Sequence, residues 1–182
     1  MLNLDSTKKL FPLWTTLLGL ISYVITGFII NIFISNDEML LLLLCIGGAI
    51  AGVLLGLLLG KGKGTILIAI SSAVGLTLSL VVAFALGYIL PSSMPFLGEY
   101  GTGIVSSIIM LIIFATLMAP SLNELKAIPC YITVGGFLGI VFGAFSVFTL
   151  LGEGYIPAIM APFGIAIGLS YGLYAKRYGD LN

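Results

Sequence analysis

The sequence predicts an all-α membrane protein, a six-transmembrane-helix bundle forming one domain over residues 1–182, with both termini cytoplasmic. Three observations lead there. Hydrophobic residues make up 60% of the chain and charged residues only 8%, where a soluble domain carries roughly 25% charged residues, and the mean hydropathy is +1.25. Six apolar stretches are each long enough to cross a hydrocarbon core, which takes about 20 helical residues. The charges, finally, sort by side of the membrane. Strands are excluded because an open sheet cannot satisfy its edges in lipid, and a closed barrel would show short alternating segments.

The first span, residues 10–34, follows Lys8 and Lys9. Its apolar run is longer than the roughly 7 to 15 residues of a signal-peptide core and no A-x-A-like site follows it, so it reads as a permanent span. The second, residues 39–60, carries glycine at every fourth position in Gly48, Gly52, Gly56 and Gly60, a ladder that continues to Gly64. A flat stripe of this kind lets two backbones approach closely, the glycine-zipper mode of helix packing. Contact with another subunit and contact within the chain both fit it; the second is favoured because other spans offer matching small faces.

Those faces are Ser71, Gly75 and Ser79 in the third span (65–90), Gly135, Gly139 and Gly143 in the fifth (128–151), and Gly164, Gly168 and Gly172 in the sixth (156–175). The fourth span, 102–122, has Pro120 near its end, and Pro157 and Pro162 lie in the outer half of the sixth. A proline inside a helix frees a carbonyl that a kink can turn toward a substrate or ion. The longest connector, residues 91–101, holds two prolines and Phe96 and is expected to fold back on the bundle as a cap.

Lys8, Lys9, Lys61, Lys63, Lys126, Lys176 and Arg177 fall on one side of this arrangement, and Asp37, Glu38, Glu99 and Glu153 on the other. Lys and Arg are retained in cytoplasmic loops, which predicts a cell-membrane protein with both ends in the cytoplasm. Aromatic residues agree: Trp14, Tyr131, Tyr174 and Tyr178 near the inner boundary, and Tyr88, Tyr100 and Tyr155 near the outer one. A formal net charge of zero gives no sign of a nucleic-acid partner. The expected partners are the bilayer itself and further copies of the chain or other membrane subunits.

The connector LLGKGKG at 58–64 is echoed by LLGEGY at 150–155, each between glycine-bearing spans. Because three spans reverse direction, the echo predicts a 3+3 inverted repeat with halves 10–90 and 102–175, related by an axis in the membrane plane. The competing explanation is that Gly, Leu and small residues are common in membrane helices. The GKGKGT turn at 60–65 does not satisfy the phosphate-loop pattern, since Gly62 follows Lys61 and a membrane helix, not a strand, precedes it.

Chemistry is bounded mainly by what is scarce. The chain has no histidine and two cysteines, Cys45 well in from the outer end of the second span and Cys130 close to the inner end of the fifth. At 1.5 Å per residue their depths differ by roughly 10 Å or more, beyond disulfide reach. No catalytic residue, cofactor site or metal site is predicted, and the chain is not expected to be an enzyme. No Asp, Glu, Lys or Arg lies deep in a span, which argues against coupling by a carboxylate relay. Glu99, Tyr100, Glu153 and Tyr155, in LGEYG and LGEGY, are candidates for an outer, cation-attracting vestibule, with solvated loop carboxylates the plainer account. The expected function is a small passive transporter, channel-like or substrate-binding bundle, with a non-catalytic accessory subunit of a larger membrane complex as the alternative.

Overall fold

The computed structural model describes residues 4–33, 40–95, 98–122, 125–149 and 156–178. Among these, six α-helices follow one another: α1 (Leu4–Phe33), α2 (Leu40–Leu58), α3 (Thr65–Ser93), α4 (Gly98–Met118), α5 (Ile128–Thr149) and α6 (Ile156–Tyr178). All six are long and apolar enough to cross a membrane. Every helix except α4 carries exposed large apolar side chains among the described residues, including Ile32, Leu57, Ile66, Phe137 and the 84%-exposed Tyr88. A helix that is hydrophobic all round needs lipid, or more protein, on every side.

Helix ends differ from the sequence expectation in one region. The segment 91–101, expected to cap the bundle, is mostly helical: α3 runs through Pro91 to Ser93, and α4 begins at Gly98. Pro91 removes a backbone donor only in the last turn, where the ladder is about to end anyway, and Met94 N–H still reaches the Leu90 carbonyl at 2.8 Å. Pro120 lies outside the helix, in a 3-10 turn of residues Ala119–Leu122.

The α2–α3 turn shows how sequence sets a helix end. Lys61 N–H bonds the Gly56 carbonyl and Gly60 N–H the Leu57 carbonyl, each at 3.0 Å, a Schellman closure that needs a left-handed residue. Gly60 supplies it at φ +66°.

Several of the closest helix approaches fall at glycines. A Cβ on Gly52 would lie 2.6 Å from Ala69 Cα, one on Gly48 2.8 Å from Ala73 Cα, and one on Gly56 2.9 Å from Thr65 Cα, so α2 lies backbone-to-backbone on α3. On α5, Gly143 faces Ile104, Gly139 faces Ile108 and Gly135 faces Leu111, all of α4. On α6, Gly164, Gly168 and Gly172 face Gly19, Thr15 and Pro12 of α1, while Gly27 of α1 meets Pro157 of α6. The most extensive contacts are accordingly α1 with α6, α2 with α3, and α4 with α5.

This pairing departs from a 3+3 inverted repeat. An in-plane two-fold would carry the α2–α3 contact onto α5–α6 and the α4–α5 contact onto α1–α2, yet in both cases the second contact is much the smaller. The chief neighbours also form a closed cycle in chain order, α1 to α6 and back to α1. In projection a two-fold in the membrane plane acts as a reflection and reverses the sense of such a cycle; moving every helix three places along preserves it. The LLGxG echo therefore has no counterpart in helix pairing.

Aromatic rings meet in the middle of the bundle. Phe114 of α4 meets Tyr23 of α1 edge-on, with ring centroids 5.6 Å apart, and Phe163 of α6 at 4.8 Å. Tyr23 is fully buried, and its hydroxyl is hydrogen-bonded to Ser72 Oγ of α3 at 2.5 Å. Met118 and Met160 are buried in the same apolar cluster.

Candidate functional site

The glycine arrangement that closes three helix pairs leaves a fourth apart. Glycines of α5 that approach another backbone face α4, and those of α6 face α1, so between α5 and α6 no such stripe draws the helices together. Their meeting is far less extensive than that of α4 with α5 or α1 with α6. An open groove of about 880 Å³ runs between them at the end where α5 starts and α6 stops. That lies within the range of roughly 300 to 1,000 Å³ typical of small-molecule sites.

One wall comes from the start of α5 and the turn before it. Lys126 sits in a 3-10 turn (Leu125–Ala127) that leads directly into α5, and Pro129, Cys130, Thr133 and Val134 continue the wall inward. Thr133 Oγ1 donates to the Pro129 carbonyl at 2.8 Å, so its hydroxyl is committed to its own helix. The other wall is the last turns of α6, with Leu173, Tyr174, Lys176, Arg177 and Tyr178. The two walls touch at depth, where the Cys130 thiol lies 3.9 Å from the Ser170 carbonyl.

The groove is polar at its mouth and apolar inside. Lys126, Lys176 and Arg177 are exposed, and no carboxylate lines it among the described residues. Glu124 and Asp180, their neighbours in sequence, lie outside those residues. Even with Asp5, Glu124 and Asp180 ionised, the seven cations of this end leave it net positive. Arg177 stacks on the Tyr178 ring at 5.2 Å from its centroid, and the Tyr174 and Tyr178 rings are 5.2 Å apart. Such stacking is worth about 0.5 to 1 kcal/mol at an exposed site and holds the guanidinium at the rim. Nearby, Lys61 reaches from the α2–α3 turn to the Tyr171 ring, 4.8 Å from its centroid.

The residues singled out from sequence fall elsewhere. Gly48, Gly52, Gly56, Gly135, Gly139, Gly143, Gly164, Gly168 and Gly172 all lie at helix contacts within the chain. On α3 the face that meets the α2 glycines is Thr65, Ala69 and Ala73; Gly75 instead faces Phe114 of α4, and Ser79 is buried with its hydroxyl on the Leu76 carbonyl. Ser71 is half-buried. Gly60 has open space around its Cβ direction and serves the turn, not a helix contact. Glu99 and Tyr100 belong to the first turn of α4; Glu153 and Tyr155 lie outside the described residues, so no vestibule can be drawn from the four.

Both cysteines are free, Cys45 exposed on α2 and Cys130 half-buried in the groove wall. Sequence reasoning missed the groove, because Lys126, Lys176, Arg177 and the two tyrosines each read as ordinary markers of the inner boundary. It also missed Gly19 and Gly27, whose eight-residue spacing resembles no ladder.

Comparison with protein-family models, with curated proteins and with solved structures found no match to this chain.

Proposed function

We propose that this chain is a non-catalytic, substrate-binding membrane bundle of the cell membrane, with its basic end and both termini in the cytoplasm, and that the α5–α6 groove holds its ligand. The groove carries the reading: it is a recess of ligand size with three cations at the mouth and an apolar interior. The apolar cluster that includes Phe114 lies inside the bundle, which favours binding at one end over an open path. Glycine faces that an accessory-subunit role would use for docking are taken up by helices of the same chain.

The test is occupancy. Protein purified gently from its own membranes should carry a tightly held small molecule, detected by extraction and mass spectrometry. Thr133→Phe, which places a ring in the groove from an exposed position, should lose most of it. Equal amounts in both preparations would contradict the proposal.

A further inference from the structure

Resting on that reading, we infer that the ligand is an anionic phospholipid, its phosphate held by Lys126, Lys176 and Arg177 and an acyl chain lying against Val134 and Leu173. The three cations line the mouth of the groove, and the lining runs eight residues inward from Lys126 to Val134. At 1.5 Å per residue this is about 12 Å, enough to pass from the headgroup level into the first part of the hydrocarbon.

The lining brings together the kinds of surface a phospholipid would meet: the ammonium and guanidinium groups of Lys126, Lys176 and Arg177, the Tyr174 and Tyr178 rings, and the apolar side chains of Val134 and Leu173. Tyrosine favours the headgroup boundary for the same reason, having an apolar body and a polar tip. Inorganic phosphate would satisfy the cations and leave the apolar wall wet. A zwitterionic lipid would bring its own cation against Lys176 and Arg177. Basic recesses between membrane helices on the cytoplasmic side are a recurring site for anionic headgroups.

The experiment titrates the full chain, delipidated and held in a neutral detergent, with short-chain phosphatidylglycerol, phosphatidylcholine or inorganic phosphate, counting bound molecules by native mass spectrometry. Phosphatidylglycerol should saturate at one molecule per chain, with neither phosphatidylcholine nor phosphate binding or competing. Removing a cation near a charged lipid surface costs roughly fivefold in affinity, so K176A with R177A should weaken binding on the order of 25-fold. Lys63→Ala, at the same end but outside the groove lining, should leave it unchanged. Equal binding of phosphatidylcholine, displacement by phosphate, or an equal loss in Lys63→Ala would each overturn the inference. Thr133→Phe should abolish the saturable component even if the double variant folds poorly. A co-purified ligand of another class, lost in Thr133→Phe, would refute the lipid assignment while leaving the groove standing as a site.

Discussion

Glycines of this bundle differ sharply in what a methyl group would meet. Gly52 and Gly87 are both glycines of membrane helices, but a Cβ on the first would meet Ala69 Cα at 2.6 Å and one on the second would meet nothing within 4 Å. Overpacking a tight contact costs about 1 to 3 kcal/mol or more, so Gly52→Leu should destabilise by at least that much in a reversible unfolding titration. Gly87→Leu should stay within about 0.5 kcal/mol, as for a surface change. Four-residue spacing made the α2 stripe legible from sequence but left its neighbour open, because spacing defines a face and not what lies opposite. The buried Tyr23–Ser72 hydrogen bond is a smaller contribution. Tyr23→Phe removes it and should cost about 0.6 kcal/mol, with roughly 1.7 as the upper end for such bonds in membranes.

At the level of helices, the number and approximate place of the six spans were legible because length and apolarity report them directly. Their pairing was not. Helices apolar on all sides carry no amphipathic stripe to say which face turns inward, so association follows from fine packing that only coordinates reveal. The helix pairing does not show the inverted repeat for this reason: a shared LLGxG string, whose second copy lies outside the described residues, does not say which helix meets which. The distribution of glycine contacts gives a further expectation. Gly168 lies against the α1 backbone, whereas a Cβ on Gly136 would find only Ile112 Cδ1 at 3.8 Å. Gly168→Leu should therefore separate α1 from α6 and lower the thermal midpoint clearly, while Gly136→Leu should leave it within error. Comparable losses in the two would mean that the α1–α6 contact is not what holds α6 in place.

For the molecule as a whole, six membrane crossings would put both ends on one side, proposed from the charge distribution to be the cytoplasm. Protease-sensitive tags at the two termini should both be cut in inside-out vesicles and both survive in right-side-out ones. Cleavage of one tag in each preparation would rule out six spans. The packed centre bears on transport: with Phe114 in ring contact with both Tyr23 and Phe163, proteoliposomes should pass small solutes no faster than empty vesicles. The groove, in contrast to the spans, was not legible in sequence. Its walls come from two segments some forty residues apart, and each basic or aromatic residue has a sufficient local reason to be where it is.

Central to the proposed function is the α5–α6 groove as a binding site. The most direct measurement is a structure of the protein extracted with its native lipid. Elongated density in the groove, with its polar end between Lys126, Lys176 and Arg177, is the predicted result. A groove closed by α5 packing onto α6, with ordered lipid only on the outer helix faces, would contradict it.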